Sequence, residues 1–214
     1  MSKALDIVSK ALSILFYPLF IPTYGMVLFC CALPHPAMLA PMAWVWTAIA
    51  VGGTFLLTVV LPLTAIFLLR RRGKVTDLQI EKAKERTLPY LYAVTGFGFW
   101  CYLLISVLHA PLYICSVAVG ATVALGVVTV INKRWKISAH LTGFGGFTGG
   151  LMSYCLGTGI MPSWGVIALC MALSLLLMYA RLRLRAHTPE QVAAGWLLGI
   201  ACTFIPYCIV SYVV

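Results

Sequence analysis

Charged residues are scarce in this sequence of 214 residues, and acidic ones are the scarcest: five Asp and Glu stand beside fifteen Lys and Arg. Only 9% of the residues are charged, whereas 62% are hydrophobic, and the mean hydropathy is +1.01. Water-soluble domains carry roughly 25% charged residues. The composition therefore excludes a soluble globular domain and indicates an integral membrane protein.

The sequence also lacks three features that would indicate other kinds of site or processing. The eight cysteines fall inside apolar runs without the paired spacing of zinc sites or disulfide frameworks, which is typical of packing residues. No Gly-Lys-Ser/Thr follows the glycines of residues 143–150, which excludes that type of phosphate-binding loop. The basic N-terminus runs into an apolar stretch without a small-residue cleavage site, which predicts a retained first helix.

Long apolar runs predict an all-α bundle of membrane-spanning helices in a single domain over residues 1–214. The predicted spans are 11–34, 41–69, 88–108, 111–132, 138–157, 163–180 and 189–214. The second run is long enough to tilt or to project from the bilayer. The fifth is short and rich in glycine, so six spans plus one partial helix is the alternative to seven.

The basic residues are distributed unevenly. With seven spans, all fifteen lie on one side of the membrane, in the N-terminus and in the connections before spans three, five and seven. The positive-inside rule places such a face in the cytoplasm. We therefore expect a multi-pass protein with its N-terminus and this basic face cytoplasmic; a periplasmic face is the alternative.

The first polar cluster is TDLQIEKAKERTLPY, Thr76 to Tyr90. Its helical spacing places Lys82 and Arg86 on one face, where two cations can hold a phosphate. The acids Asp77, Glu81 and Glu85 repeat every four residues on another stripe. We interpret them as solvated partners of nearby lysines, with a divalent cation as the alternative, and we expect no metal ion and no cofactor.

The second cluster is WKISAHLTGFGGFTGG, Trp135 to Gly150, with Ser138 and His140 at the entrance of span five. A histidine at a helix start is usually structural, but beside a hydroxyl and a helix N-terminus it also suits anion chemistry. The glycines are spaced four apart, as 145/149 and 146/150, which favours close helix packing inside a membrane.

The third cluster is RLRLRAHTPEQ, Arg181 to Gln191. Thr188, Pro189 and Gln191 form the pattern of a capping box at the start of span seven. This structural interpretation leaves His187 and the arginines unexplained. Arg183 and Arg185 alternate with leucines, which is typical of residues that contact lipid headgroups or set topology.

In this order, the three clusters resemble the three signature motifs of the type 2 phosphatidic acid phosphatase (PAP2) superfamily: a basic segment, a Ser-x-His, and an Arg-x5-His at a helix start. The resemblance covers roughly residues 74–200, and FYPLFIPTYG, Phe16 to Gly25, is similar to the lead-in helix of a small bacterial branch. It implies a PAP2-like helical fold in a bacterial inner membrane. It also implies metal-free hydrolysis of a lipid phosphate or an isoprenyl pyrophosphate.

The same resemblance implies a role for each matching residue. His187 is expected to attack phosphorus, His140 to act as general acid and base, and Gln191 to orient His187. The expected phosphate ligands are Lys82, Arg86, Ser138 and Arg181.

Each motif departs from the family pattern. Gln79 stands where the first motif has lysine, so Lys82 is a substitute by proximity, and Pro89 lies three residues after Arg86 instead of one. The second motif has Ile and Ala, at 137 and 139, where Pro and Gly are usual. Gln191 replaces an aspartate; its amide oxygen can accept the imidazole N–H but brings no charge, and Glu190 is the alternative partner.

A different class of function uses the same cations for recognition alone, in a non-catalytic binder or a carrier or flippase of an anionic lipid. Spans four and six carry no ionisable group other than cysteine and tyrosine, which favours chemistry at headgroup depth over transport. A scaffold protein is a third hypothesis without specific support. We expect the partners to be the bilayer and a phospholipid or isoprenyl phosphate, not a nucleic acid; the particular lipid and the oligomeric state stay open.

Overall fold

A computed structural model describes residues 2–33, 43–77, 80 and 85–213, and in this part of the chain the secondary structure is helical without strands. The α-helices are α1 Ser2–Leu15, α2 Ile21–Val27, α3 Ala43–Phe55, α4 Leu61–Arg71, α5 Thr87–Ser106, α6 Leu112–Ile131, α7 Ala139–Thr158, α8 Trp164–Arg183 and α9 Pro189–Val213. A π-helical turn, Leu28–Ala32, extends α2, and a second, Leu56–Val60, joins α3 to α4. The predicted all-α membrane fold is confirmed.

Five of the described helical segments are long and apolar enough to cross a bilayer: 43–71, 87–106, 112–131, 164–183 and 189–212. Each agrees with a predicted span to within a few residues. Helix α7 has the length of a span, 20 residues, but it is not among these five segments. The predicted break at 35–40 lies outside the described residues.

The prediction of one continuous span over 11–34 is wrong. Helix α1 ends at Leu15, the chain turns through residues 16–20 around Pro18, and α2 begins at Ile21. Helix α1 is amphipathic, with three charged residues in 14, too many for burial in lipid. It packs against α8, where Asp6 Oδ1 lies 2.9 Å from Arg183 Nε.

Helices α7 and α9 form the centre of the bundle, and α6 packs against both. Their backbones approach closely because glycines lie at the crossing: a Cβ atom at Gly145 would collide with the carbonyl oxygen of Trp196, and one at Gly199 with the carbonyl oxygen of Thr142. A Cβ at Gly149 would come 2.7 Å from the carbonyl oxygen of Ile200. The predicted packing role is confirmed for Gly145 and Gly149.

The antiparallel order of the helices brings the starts of α5, α7 and α9 to the same end of the bundle as the ends of α4, α6 and α8. The last turn of α1 lies at this end as well, beside α8. Because the polar clusters precede α5, α7 and α9, the topology brings the three clusters together.

Candidate active site

A cavity of about 500 Å³ opens at the end of the bundle where the polar clusters meet. It is lined by predicted site residues from three different connections, and by residues of α1 that the sequence did not single out. The polar lining includes Lys10, Ser13, Tyr17, Arg86, Lys136, His140, Arg181, Arg185 and His187. The fold thus collects one histidine from the second cluster, one from the third, and arginines from the first and third.

The His187 imidazole is held from one side by two acceptors. Its Nδ1 lies 3.0 Å from the carbonyl oxygen of Lys136 and 3.3 Å from Oε1 of Gln191. A carbonyl oxygen can only accept a hydrogen bond, so Nδ1 carries the proton and the lone pair is on Nε2. The ring is 8% exposed, and it lines the cavity. This tautomer suits a nucleophile that attacks through Nε2.

Gln191 joins His187 to the cap of α9. Its Oε1 also accepts a hydrogen bond from the backbone N–H of Thr188 at 3.2 Å, while its own N–H donates to Thr188 Oγ1 at 3.5 Å. The capping box predicted from the sequence is confirmed. Glu190, the alternative partner of His187, is exposed and bonds to Thr188 instead.

The electrostatic surroundings keep His187 neutral. Burial, followed by the nearby Arg181 guanidinium, lowers the pKa of His187 to about 4, against the smaller raising effect of the hydrogen bond to Lys136. Arg86 and the Lys136 ammonium lower this pKa further. At neutral pH the imidazole is therefore neutral, with a free lone pair on Nε2, as a nucleophile must be.

His140 lies in the first turn of α7 and contacts α1. Its Nε2 is 3.0 Å from the carbonyl oxygen of Ser13, and its ring meets the Tyr17 ring edge to face, with centroids 5.9 Å apart. The Ser13 carbonyl accepts, so Nε2 carries a proton and Nδ1 is the nitrogen that titrates. Sequence reasoning missed α1 here; the signal was its amphipathic pattern, which is unlike that of a span.

Arg86 is a cation of the cavity that is held by two hydrogen bonds. It is 6% exposed, its Nε donates to the carbonyl oxygen of Ile80 at 2.8 Å, and its Nη1 donates to Asn132 Oδ1 at 3.3 Å. These bonds join the segment before α5 to the end of α6. Among the described residues that line the cavity there is no Asp or Glu, so the lining is strongly positive and suits an anion.

The sequence predicts two further phosphate ligands, Lys82 and Ser138. Lys82 lies outside the described residues. Ser138 is fully buried and is the N-cap of α7: its Oγ accepts from the N–H of Leu141 at 3.5 Å, and its N–H donates to the carbonyl oxygen of Gln191 at 3.2 Å. It is not among the described residues that line the cavity. In this position Ser138 ties the start of α7 to the start of α9.

The acidic stripe of the first cluster is only partly described. Glu85 Oε2 accepts from the N–H of Thr76 at 2.7 Å and from its Oγ1 at 2.9 Å, which closes the loop before α5. Glu81 lies outside the described residues. Within the described ranges, no group of three or more His, Cys, Asp or Glu side chains is arranged to hold a metal ion.

Comparison with known proteins covers the second and third clusters. The model of the PAP2 superfamily matches residues 137–214, which confirms the resemblance for the segment that carries His140, Arg181 and His187. The first cluster, with Arg86, lies outside the match. No curated protein and no solved structure matched the chain. The family match suggests phosphatase-type activity on phosphate esters, in a protein with several apolar helices consistent with multiple membrane crossings.

Proposed function

We propose that this protein is a membrane-embedded lipid phosphate phosphatase that works through a phosphohistidine on His187. The observation that carries the proposal is the state of His187: a neutral imidazole, with Nδ1 held by two acceptors, in a cationic cavity shared with a second histidine. The substrate is a lipid phosphate monoester or an isoprenyl pyrophosphate.

In the first step, Nε2 of His187 attacks phosphorus and the bond from phosphorus to the ester oxygen breaks. The negative charge of the bound phosphate favours the protonated form of His140, which gives its Nδ1 proton to the departing oxygen. The leaving group is the alcohol of a phosphate monoester, or the isoprenyl phosphate of a pyrophosphate. Arg86 and Arg181 neutralise the phosphoryl oxygens, and the Lys136 carbonyl stabilises the N–H of His187 as the ring becomes positive.

In the second step, water attacks the phosphohistidine, and neutral His140 accepts a proton from that water. The bond from phosphorus to Nε2 breaks, inorganic phosphate leaves, and His187 returns to its neutral form. The Ser13 carbonyl accepts from Nε2 of His140 in both steps, so proton exchange occurs at Nδ1. His140 is reset by the proton that it takes up in this step.

A lipid substrate is supported by the position of the cavity at the end of a bundle of apolar helices. Pro18, Leu19 and Leu125 lie in the same lining as the cations. A headgroup phosphate can reach the arginines while its hydrocarbon part stays among apolar side chains.

The test is phosphate release by purified protein from a panel of phosphatidic acid, phosphatidylglycerol phosphate and an isoprenyl pyrophosphate. We expect release from at least one lipid, and an acid-labile, alkali-stable phosphoenzyme when the phosphate is radiolabelled. His187→Ala should abolish both signals. His109→Ala, in the exposed connection at the opposite end, is the matched control and should keep full activity. Absence of phosphate release from every lipid by the wild type would overturn the proposal.

One observation favours a second candidate, a non-catalytic binder of lipid phosphates. Gln191 supplies His187 with an uncharged acceptor where the resemblance implies a carboxylate. A binder would retain the lipid on a column or in a sedimentation assay but would form no phosphoenzyme. Substitution of Arg181 should weaken that binding, whereas His187→Ala should leave it largely intact.

A further inference from the structure

A second cavity leads from the floor of the cationic one into the interior of the bundle. It measures about 120 Å³ and shares Pro18, Leu19, Leu125 and Ala139 with the first. Along α6 its lining extends from Val128 to Ile114, which corresponds to about 20 Å at 1.5 Å per residue. We call this second cavity the inner crevice. It is bordered by α2, α5, α6 and α7, and by single residues of α3, of the π-helical turn after α3 and of α9.

The lining of the inner crevice is apolar, and its few hydroxyls are already hydrogen-bonded. Thr54 Oγ1 donates to the carbonyl oxygen of Ala50 at 2.7 Å and accepts from Trp100 Nε1 at 2.8 Å. Thr58 and Thr142 donate to carbonyl oxygens one helical turn earlier. The described lining contains no ionisable side chain. A cavity of this kind does not attract water and suits an apolar ligand.

Small residues keep the inner crevice open. Ala118 and Ala121 border it from α6, Gly25 from α2, and Gly143 and Gly146 from α7. The α7 glycines differ in how closely α9 approaches them: a Cβ at Gly145 would collide with the α9 backbone, whereas a Cβ at Gly146 would come 3.4 Å from the methyl group of Thr203 and 4.0 Å from the carbonyl oxygen of Gly199. Close helix packing therefore requires glycine at 145, whereas at 146 it leaves some space beside α9. The space left at Gly146 belongs to the crevice.

The width of the crevice limits what can enter it. Its volume is close to the roughly 150 Å³ of an engineered apolar cavity that binds benzene. One unbranched or methyl-branched hydrocarbon chain fits such a space, whereas a second chain beside it does not. The crevice meets the cavity that Arg86 and Arg181 line at the residues shared by the two linings.

We propose that the inner crevice binds the first part of one hydrocarbon chain of the substrate, so that the chain points into the bundle while its phosphate contacts Arg86 and Arg181. This inference rests on the proposed function. The crevice makes the enzyme selective for a phosphate on a single narrow chain, and Ala121 is the residue that sets the width from the side of α6.

The test compares two simple phosphate esters, dodecyl phosphate and butyl phosphate, in the same detergent. Ala121→Phe fills the crevice and should lower the ratio of kcat/KM for dodecyl to butyl phosphate by about 10- to 100-fold, because each buried methylene contributes a factor of roughly four. Val123→Phe adds the same ring two residues away, at a position 48% exposed on the outer surface of α6, and should leave the ratio unchanged. Ala121→Leu is the milder variant if the phenylalanine protein does not fold. An unchanged ratio in a folded Ala121 variant would overturn the inference.

A binding measurement separates this inference from the proposed function. Trp100 lines the crevice, so a dodecyl phosphate brominated along its chain should quench Trp100 fluorescence, taken as the difference between the wild type and Trp100→Phe. The quenching should be lost in Ala121→Phe and kept in Val123→Phe. If the wild type hydrolyses neither ester but Trp100 is quenched, the phosphatase proposal fails and the chain site stands. Absence of quenching of Trp100 in the wild type would refute the chain site whatever the catalytic result.

Discussion

The orientation of the His187 imidazole depends on two oxygen atoms, and only one of them belongs to a side chain. The Lys136 carbonyl is the nearer acceptor of Nδ1, at 3.0 Å, and Gln191 Oε1 is the farther, at 3.3 Å. Neither brings a negative charge. The two acceptors can therefore select the tautomer, but they stabilise the positive charge that forms during attack only through their dipoles.

A carboxylate at position 191 should supply the missing charge. We predict that Gln191→Asp raises kcat, by an amount limited to about 10²–10⁴-fold by general acid–base precedents. Gln191→Ala should cost less than tenfold, since the Lys136 carbonyl still holds Nδ1. Phosphate release at saturating lipid measures both effects. A rate for Gln191→Asp at or below that of the wild type would contradict this account of Gln191.

The low pKa of His187 predicts where activity is lost in acid. His187 attacks only when neutral, so the loss of kcat/KM that its protonation causes in acid should lie near pH 4, where the pKa of His187 lies, and not near 6.5, the ordinary histidine value. The charged and titratable groups around it are Arg181, Arg86, Lys136 and His140.

The substrate's own second ionisation falls near pH 6 and must be told apart from that of His187. Gln191→Asp should raise the pKa of His187, so the acid limb that His187 causes in the pH profile should move to higher pH. The ionisation of the substrate should stay at the same pH. An acid limb near pH 6.5 that does not move in this variant would count against the neutral, buried His187 described here.

At the scale of elements, the catalytic geometry depends on the close crossing of α7 and α9. Lys136 and Ser138 precede α7, His187 precedes α9, and Gln191 lies in its first turn. The hydrogen bonds between these two groups require the two backbones to stay close. Gly145 lies farther along α7 than the site, and a side chain there would push α7 and α9 apart.

We therefore predict that Gly145→Ala destabilises the protein by about 1–3 kcal/mol, the usual range for overpacking, and lowers kcat at least tenfold. Gly126→Ala is the matched control: no atom lies within 4 Å of a Cβ at that position on α6. Thermal unfolding in detergent and phosphate release measure the two effects. Equal behaviour of the two variants would show that the crossing tolerates more separation than the structure indicates.

Helix α1 is the second element on which the site depends, because its last turn supplies the carbonyl that holds His140. The Asp6–Arg183 ion pair fastens α1 to α8 at the surface, where such pairs contribute about 0.2–1 kcal/mol. Asp6→Arg or Arg183→Asp alone should lower kcat, by up to about fivefold on that energy. The double exchange should restore it, and salt should reduce the difference between wild type and single variants. If kcat of the double variant is no higher than that of the single variants, the Asp6–Arg183 pair does not support the site.

At the scale of the whole molecule, the described basic residues all lie at the cavity end of the bundle. Exposed Arg70, Arg72, Lys74, Lys133 and Arg134 surround the site without entering its lining. Their charge can set the topology of the protein in the membrane, whereas Arg86 and Arg181 line the cavity. Even without the cations of the lining, the remaining basic residues lie at the cavity end, and this uneven distribution favours a cytoplasmic site.

This orientation is tested by labelling with a membrane-impermeant thiol reagent in intact cells, in a cysteine-free background. Met161→Cys, at the exposed end opposite the cavity, should react, and Lys74→Cys, at the cavity end, should react only after lysis. The reverse pattern would place the site in the periplasm. Phosphate release by each variant after purification checks that the fold is kept.

Structural features that depend on residues close together in the sequence were predictable from the sequence. Five spans appear close to their predicted bounds because each is an apolar run that ends at charges, glycine or proline. The Thr188–Gln191 capping box was readable because its partners are three residues apart. The break of the first span at residues 16–20 was missed, since the apolar run continues through Tyr17 and Pro18 and conceals the change from an amphipathic helix to a buried one.

The tertiary structure alone decided what holds the two histidines and what lies beneath them. His187 is bound by a carbonyl oxygen 51 residues away, and His140 by one 127 residues away. Every residue has a carbonyl oxygen, so such partners leave no mark in a sequence; they are selected by how helices distant in the chain pack. The inner crevice has the same origin, because a glycine or alanine in a membrane helix can admit a neighbouring backbone or leave a space, and only the packed structure distinguishes the two.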